Sequence, residues 1–374
     1  MKNFRWAGLS LLLVVFLVLA GCTVSESKTK NTAADPGTLT MMTWNVQNLF
    51  DGLDNGFEYD EFLTSAGWST EKYKGRVNTV SAAIGGIKPL PDIIMFQEIE
   101  SLAILQDIAA GISDIAAAVS GGYEWSHFAK NPGAALGVGI LSRFPIVEPK
   151  AHSITIGSET TPRPVLETRI QAENDFVVFT CHWKSKLGGD DNTESTRKAS
   201  ARVILRRIRE LWEKEPELGV IVAGDLNENH NEFYRRNTEM ICALMPDDPY
   251  CAHICAQMCA ELAGGMQKDF IVLGKNKPPE AVHFPQETVV LFSAWMCDVE
   301  NGSYYYKNDW ETIDHFLVSG QFFTNTGWSF EKAVPADFSP FANAYGVPVP
   351  YNTRTGAGLS DHLPLLMTLK MKTD

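Results

Sequence analysis

Along the chain, short apolar runs alternate with longer stretches whose apolar residues recur at helical spacing. The runs at 38–44, 92–96, 136–141, 176–181, 220–223, 313–318 and 363–369 are short, apolar and bounded by polar residues, which predicts buried strands. The stretches near 76–87, 101–119 and 194–214 predict helices. In the last of them Ile204, Ile208, Leu211 and Trp212 share one face. The strands terminate in a narrow set of polar residues. The first ends at Asn45, the second at Gln97 and Glu98, the fourth at His182, and the fifth at Asp225 and Asn227. Asp314 opens the sixth, and Asp361 and His362 lead into the seventh. Any one of these has an ordinary reading, because Asn and Asp suit turns and a lone strand-end histidine is usually structural. Together they are harder to dismiss, since burying several acids at one end of a sheet is costly without a cation or proton sharing.

The N-terminus follows a different pattern. Lys2 and Arg5 precede an apolar stretch over 7–20, which is too short to span a bilayer comfortably and suits the core of a signal peptide. Leu19-Ala20-Gly21-Cys22 follows and resembles a bacterial lipobox, which implies cleavage after Gly21 and a lipid on Cys22. The expectation is a signal peptide over 1–21, a polar tether over 22–38 and one large domain over 39–374. This places the protein outside the cytoplasm as a membrane-anchored lipoprotein, facing the periplasm or the cell surface.

Composition narrows the class further. With 45% hydrophobic residues the chain can build a sizeable core, and a net charge of −13 disfavours a broad basic face for nucleic acid. An enzyme that touches only a few phosphates remains open. Besides Cys22 the cysteines are Cys181, Cys242, Cys251, Cys255, Cys259 and Cys297. In an exported protein they are read equally as disulfides or buried thiols, with a metal site as a lesser alternative.

The strand-end motifs, taken in order, resemble the endonuclease/exonuclease/phosphatase superfamily. They are Thr43-Trp44-Asn45-Val46-Gln47-Asn48-Leu49, Pro91-Asp92-Ile93-Ile94-Met95-Phe96-Gln97-Glu98, Gly139-Ile140-Leu141-Ser142-Arg143-Phe144-Pro145, Thr180-Cys181-His182, Gly224-Asp225-Leu226-Asn227, Ile313-Asp314-His315 and Leu359-Ser360-Asp361-His362. The resemblance spans about 39–370, with an insertion near 228–310. It implies an α+β fold, a four-layer α/β/β/α sandwich of two mixed β-sheets flanked by helices, with the site at one end.

The same resemblance implies roles that the chemistry of phosphodiester hydrolysis can accommodate. Glu98, with Asn45 and Asp361, is expected to hold Mg²⁺, for which Mn²⁺ could substitute. Asp225 and Asn227 match a pair that orients the attacking water and the phosphate. Asp314 resembles the acid that orients His362. His182 is a candidate for protonating the leaving group or holding a phosphate oxygen. Arg163, Lys184 and Lys186 are expected to contact substrate, and Arg197, Arg202, Arg206, Arg207 and Arg209 extend the same basic stretch, the last four favoured as a solvated helix face. Where some members of the superfamily carry an acid, this chain has Gln47, which weakens the case for a second metal.

The leading expectation is a monomeric, metal-dependent extracytoplasmic nuclease. Phospholipid or sphingomyelin phosphodiesterase, and inositol- or sugar-phosphate phosphatase, are the alternatives. A non-catalytic surface lipoprotein is the lesser one.

Overall fold

The computed structural model describes residues 37–115, 122–237, 240–261, 269–280, 282–285, 288–297 and 301–373. The expected signal peptide, Cys22 and nearly all of the expected tether lie outside the described residues. Among those described, no helix is long and apolar enough to cross a membrane.

The strands run in chain order as β1 (Thr38–Leu49), β2 (Ile93–Ile99), β3 (Trp125–Ala129), β4 (Gly137–Ser142), β5 (Ile146–His152), the small pair β6 (Thr155–Ile156) and β7 (Glu159–Thr160), β8 (Val165–Ile170) and β9 (Phe176–His182). They continue as β10 (Gly219–Asp225), β11 (Leu244–Pro246), β12 (Ile271–Gly274), β13 (Val290–Ser293), β14 (Tyr304–Tyr306), β15 (Asp309–Glu311), β16 (Asp314–Val318), β17 (Gly327–Pro335) and β18 (Leu365–Lys372). One sheet has the order β17-β18-β1-β2-β4-β3, and a second has the order β11-β12-β13-β16-β10-β9-β8-β5. Both are mixed: β1 and β2 are parallel, as are β9 and β10, whereas β1 pairs antiparallel with β18 and β10 with β16.

Alternation of side chains builds the layers. In β1, Leu39 and Met41 point between the sheets, and Met42, Trp44 and Val46 point to the opposite face. That face is covered by α1 (Thr70–Gly85) and α2 (Leu102–Ile115). In β10, Ile221 and Ala223 meet the first sheet, while Val220 and Val222 meet Ile204, Leu205 and Ile208 of α3 (Asp190–Trp212). The result is the expected four-layer sandwich of two mixed sheets flanked by helices. The stretch 228–310 adds β11, β12 and β13 to the edge of the second sheet, together with α4 (Glu232–Arg235) and α5 (Pro249–Glu261).

Two expectations need adjustment. α1 starts at Thr70, ahead of the expected 76, because the Ser69 hydroxyl caps it by accepting from the Lys72 N–H at 3.3 Å. Of the two readings of the cysteines, free thiols hold for Cys181, Cys242, Cys251 and Cys297, and all but Cys297 are buried. The Cys259 side chain lies outside the described residues.

Candidate active site

The polar strand ends meet because register aligns them. Asn45 on β1 sits opposite Gln97 on β2, next to Glu98. Asp225 on β10 pairs with His182 on β9 and, on its other side, with Asp314 on β16. Gly224 makes the approach of β9 to β10 feasible: with φ of +135° it sits where a Cβ would lie 2.0 Å from the Cys181 carbonyl oxygen. Backbone strain concentrates here. Gln47, Asn48, Glu98 and Asn227 all take left-handed φ, between 51° and 63°. Asparagine tolerates this region, but for glutamate it costs about 1–3 kcal/mol, so Glu98 is held in a conformation its own preferences oppose.

The side chains form one connected group. Asn45 Nδ2 donates to Asp225 Oδ2 at 3.0 Å and to Glu98 Oε1 at 3.2 Å. His182 Nε2 lies 3.4 Å from Asp225 Oδ2 and 3.7 Å from Glu98 Oε1. The Asn48 N–H donates to Glu98 Oε2 at 2.8 Å. The Asn227 N–H donates to Asp225 Oδ1 at 2.8 Å, and its Nδ2 donates to the Trp183 carbonyl. Across the site, His362 Nδ1 is 2.8 Å from Asp314 Oδ2, which also accepts from the Ser303 hydroxyl at 2.6 Å. Asp225, Asp314 and His362 bring ligand atoms within 4.8 Å of one another.

Electrostatics separate the two histidines. Burial and the nearby Arg163, His362 and Lys184 hold the His182 imidazolium far below the usual range, so the ring is neutral. Burial opposes charge on His362 as well, but Asp314, Asp361 and Asp225 outweigh it and keep this ring protonated. Burial pushes the Asp225 carboxyl up to about 7, with Asp314 adding to the shift and His362 and Asn45 opposing it.

Several of these positions are set by residues whose part in the site the sequence does not show. Arg76, on α1, is buried, and burial lowers its guanidinium to about 10, still charged at neutral pH. It donates to the carbonyls of Val46, Gln47 and Asn48 and lies 3.8 Å from the centre of the Tyr351 ring. It therefore clamps the strained turn after Asn45 and adds a positive charge behind Glu98. Gln47 accepts from the Tyr351 and Asp361 N–H groups at 2.6 and 3.1 Å while its own amide nitrogen faces the Tyr351 carbonyl. A carboxylate could not make that last contact, which gives Gln47 a structural reason for its amide. Ser360 donates to the Asn45 carbonyl at 2.6 Å. Carbonyl partners leave no mark in a sequence, so neither the Arg76 clamp nor the Ser360 contact is legible there.

The expected basic rim divides in two. Arg163 and Lys184 lie close enough to His182 to act on its charge, and Arg163 Nη1 donates to the Trp183 carbonyl at 2.6 Å. Lys186 instead binds buried Glu232 at 2.7 Å and lies 3.6 Å from Glu311. Arg197 is fully buried between Glu194 and Glu228, so it is no rim residue. Arg202 pairs with Asp269, Arg206 with Glu210, and Arg207 with Glu167 and Glu210. Asp361 stands at the site edge, half-buried. Beside it a cleft of about 250 Å³ is lined by Gln47, Asn48, Glu61, Tyr351 and Arg354, among others.

A family model described as endonuclease/exonuclease/phosphatase family matches residues 40–258. Solved structures similar to the chain include TDP2 from Caenorhabditis elegans, with 14% identity, 89% of this chain and 74% of that one covered, and a TM-score of 0.48. The human Nocturnin catalytic domain with bound sulfate anion has 13% identity, 90% and 95% coverage, and a TM-score of 0.49. An endonuclease/exonuclease/phosphatase family protein from Bacteroides thetaiotaomicron has 14% identity, 90% and 99% coverage, and a TM-score of 0.48. No curated protein matches the sequence.

Proposed function

The chain belongs to the endonuclease/exonuclease/phosphatase family, and on that footing we propose that it is a Mg²⁺-dependent phosphodiesterase that hydrolyses nucleic acid outside the cytoplasm. The observation that carries this reading is the contact network joining Asn45, Glu98, His182 and Asp225, set against the Asp314–His362 couple. The donors suit a hard cation: Glu98 presents carboxylate oxygens at the open edge of a cluster in which Asp225 and Asp361 add further acid. Glu98 would hold the ion with Asp361 and Asn45, whose amide oxygen here accepts from the Gln47 N–H at 3.0 Å. When bound, Mg²⁺ supplies positive charge for the phosphoryl oxygens, and Mn²⁺ could do the same.

The remaining chemistry belongs to the chain. Asp225, with a carboxyl that titrates near neutrality and Oδ1 held by the Asn227 N–H, accepts the proton of the attacking water. Protonated His362, oriented through Nδ1 by Asp314, presents Nε2 to the phosphate and its leaving oxygen. Neutral His182 serves as a hydrogen-bond donor to a phosphoryl oxygen, the second of the two roles expected for it. Arg163 and Lys184 extend a positive edge suited to the neighbouring phosphates, which favours a polymeric phosphodiester over a lipid headgroup.

The test incubates residues 23–374 with supercoiled plasmid, RNA, sphingomyelin and inositol phosphates in Mg²⁺, Mn²⁺ or EDTA, beside His362→Ala. We expect nicking or RNA cleavage that EDTA and the variant both abolish. Release from sphingomyelin or an inositol phosphate alone would replace the nuclease assignment, and no activity on any substrate would point to a binding lipoprotein. Anchoring through Cys22 rests on the lipobox-like Leu19-Ala20-Gly21-Cys22. If Cys22→Ala stayed in the membrane fraction of cells, that assignment would fall.

A further inference from the structure

The hairpin of β14 and β15 stands against the catalytic histidine. Its turn residues Lys307 and Asn308 both have positive φ, 49° and 66°, as a tight two-residue hairpin requires. Tyr304 pairs with His362 as an isolated β-bridge, and the Leu363 N–H donates to the Ser303 carbonyl at 2.7 Å. The hairpin is thus bonded to the same backbone that carries His362.

Its side chains separate by face. Tyr305 packs against Trp310, with ring centres 5.0 Å apart. On the other face the Tyr304 ring lies 4.6 Å from the His362 ring, and Tyr306 stacks on Tyr304 at 6.1 Å with only 20° between the ring planes. Asp361 and Asp225 both act electrostatically on Tyr304, so this face borders the acidic cluster. Tyr306 is 49% exposed, with Lys307 Nζ 5.0 Å from its ring centre. The rings therefore run outward in sequence from His362 to Tyr304 to Tyr306, a half-exposed ring with the Lys307 ammonium over it.

We propose that Tyr304 and Tyr306 form a stacking subsite for a nucleobase adjacent to the scissile phosphate, with Lys307 facing the next phosphate. This rests on the nuclease reading of the site and names the substrate feature that the site selects. A planar base matches the parallel rings, and stacking of this kind accepts any base. A bilayer is a poorer match, because the hairpin tip is Lys307-Asn308-Asp309, which is polar and charged. The serial arrangement also explains why a strongly acidic protein could retain nucleic acid: π-stacking adds affinity that a basic face would otherwise supply.

The test compares an octathymidylate with an octamer of the same length in which every nucleotide carries tetrahydrofuran in place of the base. The two share phosphates and sugar-like rings and differ in bases. For wild type, kcat/KM should favour the base-bearing octamer by roughly tenfold or more. Tyr306→Ala should bring the two substrates close to parity, mainly through KM, while Tyr306→Phe and Tyr306→Trp should keep the preference. An equal fall on both octamers in Tyr306→Ala, or an unchanged preference, would overturn the proposal. Fluorescence anisotropy of the same octamers on the full chain in EDTA gives a readout that needs no hydrolysis. Base-dependent binding that is lost in Tyr306→Ala supports the subsite even if neither octamer is cleaved, in which case the nuclease reading fails alone. Binding indifferent to bases, or no binding to either octamer, would overturn the subsite.

Discussion

Two acidic clusters flank β10, and they differ in how their charge is balanced. In the first, Glu194 and Glu228 enclose Arg197 Nε and Nη2 at 2.6–3.2 Å. Their remaining oxygens accept the backbone N–H groups of Ala243 and Leu244 at 2.8 and 2.7 Å. Cys242 Sγ completes a set with ligand-like spacing, yet both carboxylates already have partners on each oxygen. In the second, Asp225, Asp314 and Asp361 act on one protonated imidazole, His362, and Glu98 lies beside neutral His182, with Arg76 turned to backbone carbonyls behind them. Asp314 Oδ1 is buried with no hydrogen-bond partner. The first cluster ties α3 to the loop after Asp225. The second leaves carboxylates at the open site without such pairing.

The widest separation between the clusters should come from one substitution in each. Arg197→Met strands two buried carboxylates and should cost about 3–5 kcal/mol in denaturant unfolding, with activity per folded molecule largely kept. Glu98→Gln should do the reverse: hydrolysis falls at least about a hundredfold, while metal-free stability holds or rises because one excess charge has gone. A marked loss of stability in Glu98→Gln with normal turnover would erase the distinction.

A smaller effect should follow from Arg76, the cation behind the second cluster. Arg76→Lys keeps the charge, but a single ammonium cannot span the carbonyls of Val46, Gln47 and Asn48. Turnover should drop roughly tenfold, with about 1–2 kcal/mol lost from stability through the freed carbonyls. Wild-type kcat in this variant would mean that the strained turn after Asn45 holds itself.

The sequence carried the first-order plan because strand ends are local. Asn45, Glu98, His182, Asp225, Asp314 and His362 each follow or open an apolar run, and sheet register then places them together. What it withheld depends on partners distant in the chain. Arg197 sits in sequence among the rim cations, and its decisive partner, Glu228, lies 31 residues away. Lys186 looks like a substrate contact for the same reason, its partner Glu232 being 46 residues on. Arg76 sits among Glu71, Lys72 and Lys74 and looks like a solvated helix face. The tyrosines of β14 fell inside a stretch without motifs, and only the bridge to His362 gives them meaning.

The mildest probe of the contrast is pH. Asp225 moves from its ordinary 3.8 to about 7 in the folded protein, chiefly because it is buried. The folded state therefore binds this proton more tightly than the unfolded chain does. The associated stability is complete below about pH 4 and is lost as pH rises through about 7. His362, also raised, loses its contribution in the same direction at higher pH, whereas neutral His182 disfavours folding only on the acid side, where the unfolded ring is charged. Comparison with Asp225→Asn isolates the first of these. In EDTA the variant should gain on wild type in melting temperature between pH 4 and 7 and hold that advantage above it. Mg²⁺ offsets the same charge, so the melting-temperature rise it gives wild type should be larger at pH 8 than at pH 5. The Glu194–Arg197–Glu228 cluster, whose carboxylate oxygens are all taken by protein donors, should contribute nothing to that Mg²⁺ dependence. An Mg²⁺ response that survived in Glu98→Gln and vanished in Arg197→Met would place the cation in the wrong cluster.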